Sequence, residues 1–392
     1  MKVLLLAGEE SGVLYANQIR AEILRRWPEA EIRGYGDYGF RVDDLAVMGI
    51  GQVLKKIFYF LRVKKTMELA IDEWKPDVAC TVDYPGMNLK LAAYAKARGI
   101  RAVHVVCPQV WAWKQGRIPK IEAALDRLCC FFPFESGLFK AGFAEFVGHP
   151  LVDEFERVEK VERVAKVEKV ERVEKVERVA KVEKVERVEK VERVLAILPG
   201  SRMGEIEKHL PILLEVVKEL QMSLCLCDSV FKIIIPAANE KAYRAIARAI
   251  EQSEQSNNRT ISLQLGGARE VLRQADAAVV ASGTATLEAA LAGCPTVLVY
   301  RVGWFFATIA RLVIKGVKHI GLANIIAEKA GTDCPMPELL QEDFTVENVL
   351  GRLMPWLTDV SENAKVRQNL AETMKLLQSD GDSIAKIARI LI

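Results

Sequence analysis

Two short segments in the second half of the chain most constrain how it can fold: Leu198-Pro-Gly-Ser-Arg202 and Ser282-Gly-Thr-Ala-Thr-Leu-Glu288. Each follows an apolar run and opens a predicted helix. A strand that passes through a turn of small residues into a helix points backbone N–H groups at an anion. Two such turns in one half of the chain predict a pocket for a diphosphate, and therefore a nucleotide-using α/β protein.

Along the rest of the chain, short apolar runs alternate with amphipathic segments. The runs that we predict as strands are 3–6, 78–82, 102–106 and 129–132, then 194–198, 232–235, 277–281 and 296–300. The predicted helices are 13–26, 89–97 and 118–125, then 204–220, 241–252 and 286–292. This alternation is typical of βαβ units. It predicts an α/β fold with two Rossmann-like domains facing a cleft, where a ligand would lie beyond the carboxyl ends of the strands.

A low-complexity repeat separates the two halves. Residues 156–170 recur as 171–185 and in part up to Val194, with valine at every third position. Because a three-residue spacing moves successive valines around a helix axis, no apolar face persists as a coiled coil would need. We predict a charged, partly helical linker over 156–194, with a partner-binding helix as the alternative. The domains are then 1–155 and 195–392, the last helix being able to pack back on the first domain.

Composition excludes several classes of protein. The net charge of +3 on 392 residues gives no basis for binding nucleic acid, which needs clustered basic residues. The eight cysteines lack metal-site spacing, so we predict reduced core thiols with no metal and no cofactor. The apolar run after Met1 is too short for a leader peptide and is predicted as the first strand. No apolar stretch reaches the ~18 residues of a membrane span, so the chain should be soluble or bound to a membrane surface.

The two turns contain the candidate anion-binding residues. Arg202 beside a helix start suits a phosphate, because its guanidinium can bind two oxygens; a surface arginine on an ordinary turn is the alternative. Ser201 could cap the helix that follows. Glu288, one turn into the second helix, could accept hydrogen bonds from a ribose diol. The alternative there is a capped helix, with Thr284 as the N-cap and an acidic first turn.

The first half offers a candidate base. Asp83 follows the predicted strand 78–82, where a general base would be well placed, although an isolated aspartate is more often a cap or turn residue. His149 could face the cleft or make a structural hydrogen bond. Residues 55–65 place an apolar stretch between lysines, which indicates either a buried helix or one lying in a membrane interface. Trp304-Phe-Phe306 is a second candidate apolar surface.

Nine segments then occur in an order that is typical of one family. They are Ala7-Gly-Glu9 with Ser11-Gly12, Asp83-Tyr-Pro85 with Asn88, Pro108-Gln-Val-Trp-Ala-Trp113, Pro133-Phe-Glu135, Val147-Gly-His-Pro-Leu151 with Asp153, Leu198-Pro-Gly-Ser-Arg202 with Glu205, Ser282-Gly-Thr-Ala-Thr-Leu-Glu288, Tyr300-Arg301 and Asn324. Apart from the repeat, nearly the whole chain resembles the lipid-A-disaccharide synthases. These are inverting glycosyltransferases with the two-domain GT-B architecture.

The resemblance implies a reaction and a set of roles. UDP-2,3-diacylglucosamine would be the donor and 2,3-diacylglucosamine 1-phosphate (lipid X) the acceptor, giving lipid A disaccharide 1-phosphate and UDP. Asp83 would be the general base and Arg202 would stabilise the leaving diphosphate, without a metal ion. The implied UDP contacts are Gly200, Ser201, Arg202, Ser282, Gly283, Thr284, Glu288, Arg301 and Asn324. Possible acceptor or loop residues are Gly8, Glu9, Ser11, Gly12, Asn88, Trp113 and His149. The protein would be cytoplasmic and peripherally associated with the inner membrane.

Two loops depart from the family's pattern. The usual Ala-Gly-Glu-Ala-Ser-Gly-Asp has Glu10 and Val13 at its fourth and seventh positions, and the usual Asp-x-Pro-Asp-Phe-Asn has Gly86 in place of its second aspartate. If that second aspartate were the base, the role given to Asp83 would be wrong. Two alternatives therefore stay open. One is another GT-B enzyme, such as a UDP-GlcNAc transferase or 2-epimerase, and the other is an inactive peripheral membrane protein of the same fold.

Overall fold

The computed structural model describes residues 1–45, 57–112, 114–158, 192–224, 230–253, 261–301 and 318–392. They form two compact units, Met1–Asp153 with Leu377–Ile392, and Glu154–Leu376. Most of the predicted linker, 159–191, lies outside the described residues, as do Trp113 and the segment 304–306. Both ends of the linker belong to regular elements, because residues 150–158 are helical and a strand begins at Glu192.

The first unit contains a parallel six-stranded sheet in the order β2-β1-β3-β4-β5-β6. Its strands are β1 Lys2–Ala7, β2 Glu31–Arg33, β3 Val78–Val82, β4 Arg101–Val105, β5 Arg127–Cys130 and β6 Ala144–Phe146. Its helices are Glu10–Arg26, Val42–Leu45, Ile57–Trp74, Pro85–Lys96, Ile118–Ala124, Pro133–Ser136 and Ser383–Ile390, with 3₁₀ turns at Tyr35–Tyr38 and Gln115–Arg117. All five residues of β3 are buried, as expected of a parallel strand covered on both faces.

The last helix of the chain completes the core of this first unit. Ile384 and Ile387 pack in one apolar cluster with Ile19 and Ile23 of helix Glu10–Arg26. The helix start is fixed by Asp153, whose Oδ2 accepts the Ser383 amide at 2.7 Å.

The second unit contains another parallel six-stranded sheet, in the order β12-β11-β10-β7-β8-β9. Its strands are β7 Glu192–Leu198, β8 Val230–Ala237, β9 Ile261–Leu265, β10 Ala277–Ala281, β11 Thr296–Tyr300 and β12 Glu338–Leu340. Its helices are Met203–Leu224, Glu240–Gln252, Ala268–Gln274, Thr284–Leu291, Leu322–Ala330, Val346–Thr358 and Val360–Lys375, with a 3₁₀ turn at Gln341–Asp343. The predicted α/β class is confirmed in both units.

Each sheet has one point at which the order of its strands reverses. In the first sheet the chain goes from β1 to β2 and then crosses to β3 on the other side of β1. In the second sheet β7, β8 and β9 run one way and β10, β11 and β12 the other, which is the Rossmann order. Ligands of open parallel sheets bind beyond the carboxyl ends of the strands at such a reversal. The segments after β1 and β3, and after β7 and β10, are therefore where a site is expected.

Candidate active site

Two glycine turns flank the reversal point of the second sheet. Gly200, after β7, has a φ of 121°, and a Cβ atom there would lie 2.7 Å from a carboxylate oxygen of Glu205. Gly283, after β10, has a φ of 154° and directly precedes the helix that begins at Thr284. Side chains rarely tolerate such angles, so both turns depend on glycine. The turns predicted to bind a diphosphate thus lie beside neighbouring strands, each leading into a helix start.

Arg202 forms an ion pair at the first of these helix starts. Its Nη1 lies 3.1 Å from Oε1 of Glu205, and its amide donates to Oε2 of the same residue at 3.4 Å. The Arg202 side chain is 58% exposed. Because exposed ion pairs contribute at most about 1 kcal/mol, the guanidinium can exchange this carboxylate for a phosphate at little cost.

Ser201 and Thr284, the two residues considered as possible helix caps, each lie one position away from the cap. The first helix begins at Met203, so Arg202 rather than Ser201 precedes it, and Glu205 accepts the amide proton of Arg202. Gly283 occupies the N-cap position of the second helix, and no side chain caps it. Ser201 and Thr284 are both exposed. Their proposed contacts with UDP, like that of the half-buried Ser282, stay predictions.

Glu288, the predicted ribose ligand, is held by an arginine that the sequence analysis missed. Nε of Arg269 donates to Oε1 of Glu288 at 2.8 Å, and Nη1 of Arg269 contacts Glu154 at 2.6 Å. This network orients the Glu288 carboxylate through one oxygen, and the side chain is 16% exposed. Among the described residues, the other oxygen of Glu288 has no hydrogen bond, so it could accept one from a diol. Arg269 lies two residues after the glycine pair that follows β9, and both glycines have a positive φ. The glycine pair itself was the signal in the sequence that could have identified this turn.

His209 connects the turn after β7 to the end of β11. Its Nδ1 lies 2.9 Å from the carbonyl oxygen of Pro199, and its Nε2 accepts the amide of Arg301 at 2.9 Å. Because Nε2 accepts, Nδ1 carries the proton and donates. The side chain is fully buried, and burial lowers its pKa, so the imidazole is neutral. His209 therefore fixes the backbone beside Gly200, a role that no local sequence pattern indicated.

We expect His209→Ala to lower the free energy of unfolding by roughly 1–3 kcal/mol for each of the two backbone groups it leaves unpaired. The loosened turn should also weaken UDP binding. Urea unfolding and calorimetric titration with UDP measure the two effects. Lys208→Ala, at the exposed neighbouring position, is the control. A destabilised His209→Ala with unchanged UDP affinity would mean that the residue does not shape the binding turn.

Two other predicted UDP contacts use their side chains within the protein. The Arg301 guanidinium donates to the carbonyl oxygens of Gln341 and Phe344, the shortest distance being 2.9 Å. Asn324 is fully buried, where Nδ2 donates to the Met336 carbonyl at 2.6 Å and Oδ1 accepts the Met336 amide at 3.0 Å. Both residues position backbone in the second unit, and direct contact with UDP stays a prediction for each.

In the first unit, Asp83 and its neighbours have a strained backbone. Asp83 and Tyr84, after β3, each have a φ of 51°, and Val106, after the adjacent β4, has a φ of 75°. Such angles cost about 1–3 kcal/mol per residue outside glycine and tend to cluster at active sites. Three of them at the ends of two paired strands mark this edge of the sheet as a candidate site.

The environment of Asp83 suits a general base. Burial raises the pKa of its carboxyl, while the Tyr84 amide, which donates to Oδ1 at 2.8 Å, and the Ser11 hydroxyl lower it. The net shift is upward, so this carboxylate accepts a proton more readily than a free aspartate, as a base operating near neutral pH requires.

The loop after β1 packs against Asp83 and Tyr84. A Cβ atom on Gly8 would overlap the Tyr84 ring, and one on Gly12 would lie 3.2 Å from the Val82 carbonyl oxygen. Burial and the nearby charge of Glu9 raise the pKa of Tyr84 to about 12, so the phenol keeps its proton. The predicted residues Ser11 and Gly12 thus lie beside Asp83, and Gly8 and Glu9 lie near Tyr84.

Asn88 positions Asp83 through the backbone. Its Nδ2 donates to the carbonyl oxygens of Leu6 at 3.2 Å, Val82 at 3.1 Å and Asp83 at 2.8 Å, and its Oδ1 accepts the Tyr35 hydroxyl at 2.7 Å. The buried amide therefore ties the ends of β1 and β3 together. Asn88 was predicted as an acceptor or loop residue, and contact with an acceptor stays a prediction.

The remaining two predicted residues of the first unit are less informative. His149 is buried among aromatic rings, its Nδ1 accepts the Leu151 amide at 3.2 Å, and burial lowers its pKa to about 3. It is a neutral core residue, and any contact with a substrate stays a prediction. Trp113 lies outside the described residues.

Asp83 lines a pocket of about 240 Å³ that also contains Glu135, a residue to which the sequence analysis gave no role. The Trp111 indole donates to Oε1 of Glu135 at 3.0 Å, and the Phe132 amide donates to Oε2 at 3.2 Å. Burial raises the pKa of Glu135 to about 8, so this carboxyl is mostly protonated at pH 7. The pocket therefore has one buried acid that stays neutral and one, Asp83, that is available as a base.

Two thiols adjoin Glu135. Cys107, Cys130 and Glu135 each place one potential metal-ligand atom within 4.8 Å of the others. A hydrogen bond with Cys130, together with burial, raises the pKa of Cys107. The expectation of no metal stays a prediction.

Comparison with known families shows which family the chain belongs to. Residues 3–389 match the family described as lipid-A-disaccharide synthetase. The chain belongs to this family. The lipid-A-disaccharide synthase of Syntrophus aciditrophicus is 32% identical, covering 94% of this chain and 91% of its own length. That of Myxococcus xanthus is 33% identical, covering 97% and 94%. The predicted family is confirmed, and with it an enzyme that transfers a sugar in lipid A synthesis.

Solved structures of other proteins share the fold of this chain. A UDP-GlcNAc 2-epimerase from Neisseria meningitidis, bound to UDP-GlcNAc, superposes with a TM-score of 0.57 at 11% identity, covering 100% of this chain and 98% of its own. At that identity the similarity concerns the fold alone. It confirms the predicted GT-B class with two Rossmann-like domains.

Proposed function

We propose that this chain joins UDP-2,3-diacylglucosamine to 2,3-diacylglucosamine 1-phosphate, with inversion at C1 of the donor sugar. The products are the β-1′,6-linked lipid A disaccharide 1-phosphate and UDP. Family membership supports the formation of a lipid A disaccharide, and the two acylated sugars are the specific substrates that we add.

One observation supports the donor site most strongly. The turns of Gly200 and Gly283 flank the reversal point of the second sheet, and Arg202 stands at the first of them. In the proposal, the pyrophosphate accepts hydrogen bonds from the amides of the two helix starts. Arg202 leaves Glu205 to bind the phosphate oxygens, and Glu288 accepts the ribose hydroxyls through its free oxygen.

The proposed chemistry is a direct displacement. Asp83 takes the proton of the acceptor 6-hydroxyl while the oxygen attacks C1 of the donor sugar. The bond from C1 to the diphosphate breaks, and negative charge develops on UDP. The helix-start amides and Arg202 stabilise that charge, which is the type of contribution that commonly dominates such reactions.

The test is incubation with both acylated sugars and mass spectrometry of the lipid product. We expect UDP release only when both are present, together with a disaccharide monophosphate of the summed acyl mass. Epimerised UDP-GlcNAc, or transfer to a non-lipid acceptor, would support another GT-B enzyme. Vesicle binding without UDP release would support the inactive alternative.

We further propose that the first unit binds a membrane surface through helix Ile57–Trp74. None of the helices in the described part of the chain combines the length and apolarity needed to cross a bilayer. Phe58, Leu61 and Leu69 of this helix are 82%, 57% and 50% exposed, and helical spacing puts them on one face with the exposed Arg62 and Lys65. The opposite face is buried in the core. One face of the helix is therefore buried, and the exposed face places cations beside apolar side chains, which suits anionic head groups. Residues 55 and 56 of the predicted stretch 55–65 lie outside the described residues.

Phe58→Ser combined with Leu61→Ser should weaken binding to phosphatidylglycerol vesicles at least about 10-fold, because each side chain loses much of its transfer free energy. Vesicle sedimentation measures the change. Met222→Ser is the control, since Met222 is 61% exposed in the second unit. Equal binding by the double variant and the wild type would exclude this face as the contact.

A further inference from the structure

The pocket of about 240 Å³ beside Asp83 is also lined by Arg117, which has no role in the proposed donor site or in the proposed proton transfer. Arg117 ends the 3₁₀ turn Gln115–Arg117 and is half-buried. In the described part of the chain its guanidinium makes no hydrogen bond or ion pair, although Asp83 and Glu135 line the same pocket. An unpaired guanidinium in a half-buried pocket is a ready ligand for an anion.

The charged groups that line the pocket favour an anionic ligand, rather than a carboxylate of the protein, as the partner of Arg117. Burial raises the pKa of Glu135 to about 8, so this acid is mostly neutral at pH 7. Arg117 is the one fixed cation among the described residues that line the pocket, and Asp83, the proposed base, belongs to the same lining. A ligand with an uncharged hydroxyl at one end and an anionic group at the other would match both.

The volume limits the part of a ligand that can enter. About 240 Å³ falls just below the ~300–1,000 Å³ typical of pockets for drug-sized ligands. A single sugar ring with its substituent phosphate is of this order, whereas acyl chains would have to lie outside. The lining side chains Trp111 and Phe132 offer apolar surface to a sugar ring.

We propose that Arg117 binds the phosphomonoester at C1 of the acceptor sugar, while Asp83 receives the proton of its 6-hydroxyl. This inference rests on the proposed function and deepens it by assigning the residue that selects a phosphorylated acceptor. The planar guanidinium binds two oxygens of the monoester, which fixes the ring relative to the base. The donor has no monoester, so the same contact distinguishes acceptor from donor.

The experiment compares two acceptors, 2,3-diacylglucosamine 1-phosphate and the same sugar without its phosphate. With donor at saturation, we expect the wild type to favour the phosphorylated acceptor in kcat/KM by about 10- to 100-fold, the range of a lost charge-assisted hydrogen bond. Arg117→Ala should lose this preference by turning over the phosphorylated acceptor more slowly while its rate with the other acceptor is unchanged. Arg117→Lys should keep part of the preference, since the charge stays and the two-oxygen contact is lost.

Lys120→Ala is the matched control, because it removes an exposed cation three residues along and should keep the wild-type preference. UDP binding and thermal unfolding report whether each variant is folded. If Arg117→Ala does not fold, an inhibition assay replaces it. Glucosamine 1-phosphate and glucosamine are then compared as competitive inhibitors of the wild type and of Arg117→Lys, which gives the same comparison of a phosphorylated and an unphosphorylated sugar. An equal preference in Arg117→Ala and wild type, or an equal loss with both acceptors, would overturn the assignment. Absence of UDP release from the wild type with either acceptor would instead overturn the proposed function.

Discussion

Asp83→Asn should give a protein that binds UDP normally but turns over about 10²- to 10⁴-fold more slowly, the contribution typical of a positioned general base. Asparagine can still accept the Tyr84 amide through its side-chain oxygen, so the strained turn is retained. It cannot take a proton from the acceptor hydroxyl. Single-turnover UDP release and calorimetric UDP titration separate the two effects.

The same substitution should not destabilise the protein at alkaline pH. Burial raises the pKa of Asp83, so the folded chain holds this proton more tightly than the unfolded chain does. The resulting stability is present below the unfolded pKa of about 3.9 and is lost as the pH rises through the higher folded value. Asparagine has no charge to bury, so Asp83→Asn should be at least as stable as the wild type at pH 8, as measured by thermal unfolding.

Glu73→Gln is the control for this pair of measurements, because it makes the same chemical change at an exposed position of helix Ile57–Trp74. It should alter neither turnover nor stability. Near-normal turnover by Asp83→Asn would show that another group is the base. The family's second aspartate is replaced by Gly86 in this chain, and a glycine could not act as the base in place of Asp83.

Arg202→Ala should lower kcat about 10²- to 10³-fold, the loss typical of removing one group that stabilises charge in the transition state. Stability should change by less than about 1 kcal/mol, because Glu205 is the only ion-pair partner of this exposed guanidinium among the described residues. Arg202→Lys should recover part of the rate, since it restores the charge without the two-oxygen geometry. Steady-state kinetics with both acylated sugars and urea unfolding provide the measurements.

Arg248→Ala controls for the lost positive charge, because Arg248 is exposed on helix Glu240–Gln252 of the same unit. It should leave kcat unchanged. Glu205→Gln adds a second comparison, since it weakens the ion pair that competes with the phosphate and should tighten UDP binding modestly. An Arg202→Ala enzyme with wild-type kcat would exclude the leaving-group role.

The central strands of both sheets could be predicted from the sequence, and their edge strands could not. Residues 78–82, 277–281 and 296–300 were predicted with the bounds that β3, β10 and β11 have. The missed strands are β2, β6, β9 and β12, which form the two edges of each sheet. Edge strands are short and partly exposed, so they lack the continuous apolar run that identifies a strand buried on both faces.

In the candidate site, residues whose roles depend on adjacent sequence could be predicted, and residues whose roles depend on distant contacts could not. The turns after β7 and β10 and the aspartate after β3 were predicted because strand, turn and helix start are adjacent in the sequence. His209, Arg269 and Glu135 were missed because their roles depend on contacts far along the chain. Burial, which neutralises Glu135 and His209, is also a property of the folded chain and has no signature in a single residue type.

Because the first unit takes its last core helix from Leu377–Ile392, it cannot be complete when its first 153 residues leave the ribosome. Synthesis at about 5–20 residues per second leaves roughly 10–50 s before that helix exists. During this interval the side chains of Ile19 and Ile23 that it later covers remain open to water or to chaperones. We expect nascent chains stalled at residue 376 to be cleaved by protease within the N-terminal region and to become resistant once the final residues are added.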